Sequence, residues 1–188
     1  MKKALLIVLL LTVFTGASLF AWAPLLLTTY PRVIANDPWQ INFGFGLGII
    51  PNYQGINYMW IPPLILHVDR NVPLGGLPFF IGGSIGYTGH GYTHQWYSNT
   101  LSLKARFGYH FNWGVNLLDT YAVVLAGADI SFGSTSNGNI NSFADFNYLS
   151  LFGFKIGARY FAFDRFGFYA EAGFHWFSFF NLGLTVKF

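Results

Sequence analysis

The sequence FFNLGLTVKF, residues 179–188, alternates between apolar and polar positions. Large apolar residues occupy every second position: Phe180, Leu182, Leu184, Val186 and Phe188. Small or polar residues lie between them: Asn181, Gly183, Thr185 and Lys187. A period of two is typical of a β-strand with one apolar and one polar face. The rest of the sequence decides whether that apolar face packs on a protein core or contacts lipid.

The composition is unusual for a soluble domain. Only 9% of the 188 residues are charged, whereas about a quarter is usual. The chain contains 22 Phe, 11 Tyr, 6 Trp and 22 Gly, and no Cys, so disulfides and a lipid anchor on an N-terminal Cys are excluded. We expect a single domain at this length.

The N-terminal sequence MKKALLIVLLLTVFTGASLFAWA predicts a secretory signal peptide. Lys2 and Lys3 precede an apolar run that ends at Phe14 and is followed by small residues. The run is short for a membrane-spanning helix. We expect cleavage after Ala21 or Ala23. Without Lys2 and Lys3, 8 basic side chains face 7 acidic ones, so no basic patch indicates nucleic acid.

Two long segments, residues 38–68 and 71–103, contain no Asp, Glu, Lys or Arg. Their hydropathy would suit spanning helices, but Pro51, Pro62, Pro63 and many Gly would interrupt them. The segments alternate instead, as in INFGFGLGI and LPFFIGGSIGY. The pattern therefore predicts strands.

Eight segments show this alternation, and turn sequences such as NVPLGG, FNWGVN and GSTSNGN separate them. The predicted strands are about 40–50, 56–69, 77–89, 100–112, 119–132, 148–162, 166–176 and 179–188. Strands of about ten residues, an even strand count and opposite apolar and polar faces are typical of a transmembrane β-barrel. A closed sheet also satisfies every backbone group in lipid. The alternative is a secreted β-sandwich, but its outer face would carry Lys, Glu, Ser and Thr, whereas Gly dominates the polar faces here.

We therefore predict an all-β fold, an eight-stranded antiparallel transmembrane β-barrel with an N-terminal signal peptide. The parts are a signal peptide at 1–23, a short periplasmic segment at 24–38 and an outer-membrane barrel at 39–188. The strand at 119–132 has no clearly polar face. Asp129 should avoid lipid, which would turn the alternate residues outward: Ala122, Val124, Ala126, Ala128 and Ile130.

The closing sequence GARYFAFDRFGFYAEAGFHWFSFFNLGLTVKF resembles the last hairpins of small outer-membrane β-barrel proteins. The middle strands, including IPPLILHVDRNVPLGGLPFFIGGSIGYTGH and LKARFGYHFN, are similar to an OmpW/OmpX-like group found in spirochaetes and other diderm bacteria. OmpA-like barrels share this architecture. The resemblance implies the outer membrane as location. It also implies that the strand ending in Phe188 is the signal read by the barrel-assembly machinery. It says little about activity, because such barrels share architecture more than function.

Inward-facing charges are the candidate functional residues: Lys104, Arg106, Lys155, Arg159 and Glu171. The turn near Asp164 places Glu171 opposite Gly157, so we expect Lys155 or Arg159 to bond Glu171. An eight-stranded barrel is just wide enough to be filled by side chains. The cluster would then seal the lumen with salt bridges. Alternatively it would be the constriction of a narrow pore, whose positive excess would favour anions.

Histidines and loops offer weaker signals. His90 and His94 share a predicted extracellular loop without a nearby Cys or carboxylate, so we predict neither metal nor cofactor. His110 and His175 should point into opposite ends of the barrel, whereas the facing of His67 is uncertain. Pairs of His with Ser, His175–Ser178 and His94–Ser98, lack the carboxylate of a catalytic triad. A lipid A-modifying enzyme is therefore a remote alternative.

The sequence predicts a non-enzymatic outer-membrane barrel with a structural or surface-interaction role. The alternative is a narrow OmpW-like channel for small or apolar solutes. We expect a monomer surrounded by outer-membrane lipid, with no nucleic-acid partner, and an extracellular ligand would bind the loops at 89–99 and 133–147. Pro62 and Pro63 remove ladder donors, so the second strand should bulge there or leave a lateral gap.

Overall fold

The computed structural model describes residues 29–47, 56–92, 96–135, 145–146, 152–175 and 178–188. The predicted signal peptide at 1–23, His94 and most of the loop at 133–147 lie outside the described residues.

The described residues form nine β-strands after a short 3₁₀-helix, η1, at Arg32–Ile34. The strands are β1 (Trp39–Leu47), β2 (Ile56–Leu74), β3 (Leu77–Tyr92), β4 (Trp96–Phe111), β5 (Leu118–Thr135), β6 (Asp145–Phe146), β7 (Phe152–Tyr160), β8 (Phe166–Phe174) and β9 (Phe180–Lys187). The two-residue β6 pairs with the same edge of β5 as β7 does, so β6 and β7 share one position in the sheet. Among the described residues, no helix is long and apolar enough to cross a membrane.

The sheet is antiparallel throughout and closes on itself. Its order is β4-β3-β2-β1-β9-β8-β7-β5, and β5 returns to β4. The first and last strands, β1 and β9, pair with each other, from Gln40↔Lys187 to Leu47↔Phe180. The fold is therefore the eight-stranded antiparallel barrel that the sequence predicts. We call the end that carries Trp39 and Phe188 the terminal end, and the opposite end the loop end.

The polarity of the barrel is the reverse of that of a soluble domain. Along β9, Leu182, Leu184 and Phe188 are each at least 50% exposed, whereas Asn181 and Thr185 are fully buried. The other strands repeat this arrangement, so apolar side chains cover the outside. In β5, Asp129 is buried and Val124 is exposed, which confirms the facing that Asp129 requires.

Glycines on the inner face make room for large side chains on neighbouring strands. A Cβ at Gly108 would collide with the ring of Phe80, and one at Gly157 with the ring of Tyr121. A Cβ at Gly183 would lie 2.7 Å from Cε1 of Tyr169. These three glycines of β4, β7 and β9 therefore lie under aromatic side chains in the lumen.

β2 and β3 contain the irregular features of the sheet. Their register shifts between Ile61 and Leu64, across Pro62 and Pro63, which confirms the bulge expected from two missing donors. At the terminal end, Gly75 and Gly76 connect the strands with φ of 60° and 79°, the positive values that a tight hairpin turn needs.

Candidate functional site

Charged side chains fill the middle of the lumen. The five predicted cluster residues are all at most 4% exposed: Lys104, Arg106, Lys155, Arg159 and Glu171. Three further carboxylates lie among them: Asp69, Asp119 and Asp129. The four cations of the predicted cluster thus face four carboxylates. The prediction of an excess of positive charge is therefore wrong.

Glu171 accepts hydrogen bonds from several strands. Arg106 Nη2 and the hydroxyl of Tyr121 each lie 2.7 Å from Oε1. Asn181 Nδ2 donates to Oε2 at 3.1 Å. His67 Nε2 lies 3.3 Å from Oε2 but is not hydrogen-bonded to it. Glu171 lies opposite Gly157, as predicted. The prediction that it bonds Lys155 or Arg159 is wrong, because Arg106 reaches it from β4 on the other side of the barrel.

Asp69 joins the two arginines. Arg106 Nε donates to Asp69 Oδ1 at 2.8 Å, and Arg159 Nη2 donates to Oδ2. The sequence reasoning missed Asp69 because the proline pair left the facing of β2 uncertain. The alternation along β2 was a usable signal. Leu66 and Val68 are apolar and belong on the lipid face, so His67 and Asp69, which alternate with them, belong inside.

Arg159 connects Asp69 with a second group of residues nearer the terminal end. Its Nη1 donates to Asp119 Oδ2 at 2.9 Å, and its guanidinium carbon lies 4.2 Å from the ring centroid of Tyr121. Asp119 Oδ1 lies 2.7 Å from His110 Nδ1, and His110 Nε2 lies 3.2 Å from Asn71 Oδ1. These side chains continue the contacts from Glu171 toward the terminal end.

We call Asp69, Arg106, Asp119, Arg159 and Glu171 the central network. Burying an ion pair is favourable only when further hydrogen bonds compensate for lost hydration. Each carboxylate here has at least two donors within 3.3 Å, including neutral side chains from neighbouring strands. The network therefore places fully buried charges, held from many strands, in the middle of the lumen.

Further charged side chains lie on the loop side of the network. Lys104 Nζ lies 3.0 Å from Asp129 Oδ1. Lys155 is 2% exposed, and none of the described carboxylates lies within 4 Å of its ammonium group. His175 follows the last residue of β8 and is buried, as expected. Burial and the nearby Lys155 lower the pKa of His175 to about 4, so this imidazole is neutral at physiological pH.

The segment 29–38 covers the terminal end, and we call it the stopper. Val33 and Ile34 are buried against Phe161. Lys187 Nζ donates to Val33 O and bonds Asp37 Oδ2, both at 2.7 Å.

Neighbouring strands hold the stopper at further points. Tyr30 Oη donates to Phe79 O at 2.7 Å, and Asn112 Nδ2 donates to Tyr30 O at 3.1 Å. Asn71 Nδ2 donates to Ile34 O at 3.2 Å. The sequence did not predict these contacts, because the apolar residues Val33 and Ile34 do not by themselves show that the segment packs against the barrel.

The described side chains do not form a catalytic triad. The hydroxyl of Ser178 bonds Asn181 Oδ1 and Phe180 O, and neither of these groups is a base. Among the described residues, no three His, Cys, Asp or Glu side chains are arranged to hold a metal. The side chains of His90 and His94 lie outside the described side chains.

Comparisons with known proteins add little to the geometry. No protein-family model and no curated protein sequence matches the chain. Among solved structures, the chain is similar to the outer membrane protein Ail of Yersinia pestis in a phospholipid bilayer nanodisc, with 13% sequence identity and a TM-score of 0.44. The match covers 81% of this chain and 100% of that chain.

Proposed function

We propose that this chain is an integral outer-membrane β-barrel protein without enzymatic activity, with a sealed lumen and a structural or surface-interaction role. The apolar exterior supports a membrane environment, because hydrocarbon is the solvent that such a surface requires. The central network supports the seal. Its five charged residues are each at most 2% exposed and bond one another across the barrel axis.

The proposal includes an orientation and a set of partners. In outer-membrane barrels the short turns lie on the periplasmic side. The terminal end, where the first strand begins and the last strand ends, would therefore face the periplasm, and the loop end would face the outside. Lipid would surround the barrel as a monomer. The assembly machinery would read β9, and an extracellular ligand would bind the loops at 89–99 and 133–147.

A narrow channel for small or apolar solutes is the second candidate, and one observation favours it. β1 pairs with β2 only as far as Phe45↔Leu64. Among the described residues, the part of β2 from Ile56 to Pro63 has strand neighbours on the β3 side alone. A solute could leave through the wall beside Pro62 and Pro63 without passing the central network.

Conductance of the refolded barrel in planar lipid bilayers tests the seal. The wild type should be silent. Glu171→Ala alone should also be silent, because the stopper still covers the terminal end. Glu171→Ala combined with Ile34→Asp should conduct, since a charge in the apolar contact with Phe161 should expel the stopper.

A matched control places the same charge on an exposed residue of the stopper. Glu171→Ala combined with Arg32→Asp should stay silent, because Arg32 is exposed. Steady conductance of the wild type would refute the seal and favour the channel. A silent Glu171→Ala/Ile34→Asp barrel would show that the lumen stays closed without Glu171 and without the apolar contact of the stopper.

A further inference from the structure

We propose that the loop half of the lumen contains a binding site for a small tetrahedral oxyanion, with Lys155 as its principal cation. A phosphate or sulfate group is the ligand class that fits the donors described below. The site lies on the loop side of the central network, so an anion would enter from the loop end and stop there.

Lys155 is a buried cation with unused donors. It is 2% exposed, and an ammonium group carries three N–H donors. Among the described residues, its ammonium group forms no hydrogen bond, and no carboxylate lies within 4 Å of it. Glu171 attracts it electrostatically, but Arg106, Tyr121 and Asn181 already donate to that carboxylate. A buried charge without a direct partner costs several kcal/mol in general, so an anion beside Lys155 would be stabilising.

Arg106 supplies a second set of unused donors. Its Nε and Nη2 bond Asp69 and Glu171, whereas Nη1 is buried without a partner. Arg106 and Lys155 are close enough to interact electrostatically, so an anion near Lys155 would also be attracted by the guanidinium of Arg106. Charge-assisted bonds from a guanidinium and an ammonium are the usual means of holding an oxyanion.

Small residues lie on the loop side of these donors. Lys155 pairs with Gly173 on β8. Its strand neighbours Gly153 and Gly157 lie under the side chains of His175 and Tyr121. Toward the loop end, inner positions of β3, β4 and β5 carry the small residues Gly86, Ser102 and Gly127, and this is the side from which an anion would arrive.

The charges near Lys155 also fit a single anion. Lys104 is paired with Asp129 at 3.0 Å and adds no net charge. His175 is neutral at physiological pH, because burial and Lys155 lower its pKa to about 4. One negative group beside Lys155 is thus not repelled by an unpaired carboxylate among the described residues.

Phosphorus NMR of inorganic phosphate with the refolded barrel in detergent micelles tests binding without unfolding the protein. The wild type should broaden the phosphate signal, and sulfate should reverse the broadening by competition. Lys155→Met should abolish the broadening, whereas Lys155→Arg should retain it because the cation remains. Arg70→Met, which removes an exposed cation outside the lumen, should behave as the wild type.

Urea unfolding gives an independent measurement. Sulfate at 100 times its Kd should raise the folded-to-unfolded ratio about 100-fold over chloride at equal ionic strength. Lys155→Met should lose this dependence. Absence of broadening with the wild type, or equal broadening by wild type and Lys155→Met, would overturn the proposal. Equal stabilisation by sulfate and chloride would overturn it as well, since simple screening would explain that result.

Discussion

Replacing Arg106 with Met removes the side chain that joins two carboxylates in the central network. The variant loses hydrogen bonds from Nε to Asp69 at 2.8 Å and from Nη2 to Glu171 at 2.7 Å. Removing one partner of a buried ion pair costs about 3–5 kcal/mol. Asp69 keeps its bond to Arg159, and Glu171 keeps its bond to Tyr121. We therefore expect the free energy of unfolding to fall by about 3 kcal/mol, the lower end of that range.

The assay is urea unfolding of the refolded barrel, followed by tryptophan fluorescence. With a slope of about 1–3 kcal/mol per molar urea, the midpoint should fall by about 1–3 M. Arg70→Met is the control, because Arg70 is exposed and stacks on Trp39 at 5.2 Å. Adding Asp69→Asn and Glu171→Gln to Arg106→Met should recover part of the loss, since the two carboxylates that Arg106 compensates are then neutral. A midpoint for Arg106→Met within experimental error of Arg70→Met would refute the view that the network stabilises the barrel.

Two further predictions concern luminal space and the stopper. Gly157→Val should prevent refolding or lower the unfolding midpoint strongly, because its side chain would collide with Tyr121. Gly83→Val should refold normally, since the nearest atom to its Cβ is 4.0 Å away; gel mobility of the folded and unfolded forms distinguishes the two, and equal refolding would contradict the space argument. Lys187→Met should release the stopper and speed tryptic cleavage after the exposed Arg32, as measured by mass spectrometry. An unchanged cleavage rate would mean that the ammonium of Lys187 does not hold this segment.

The sequence predicted the fold because alternation is a local property. A residue such as Leu184 and its neighbour Thr185 show which way a strand faces without any knowledge of the partner strand. The low charge content then decided which face meets lipid. The eight-stranded count followed from turn sequences, and the strands β2, β3, β4 and β5 each extend three or more residues beyond a predicted end.

The pairing of charges was not predictable in the same way. Glu171 was expected to bond the neighbouring strand, because adjacent strands are the only contacts that a sequence pattern shows. In a closed barrel the inner face of β8 also faces β4, so Arg106 reaches Glu171 across the axis. The stopper was missed for a similar reason. Nothing in the pattern of Val33 and Ile34 says that the chain turns back to Phe161.

The luminal side chains also specify the strand register, a task that a hydrophobic core performs in soluble proteins. A slip of one residue would turn Arg106 toward lipid and is excluded by polarity alone. A slip of two residues would keep every face correct, so polarity cannot exclude it. Such a slip between β3 and β4 would move Phe80 off Gly108 and onto Arg106 or His110, and it would carry Arg106 away from the level of Asp69. Large side chains over glycines and paired charges across the axis therefore select one register among those that the alternation allows.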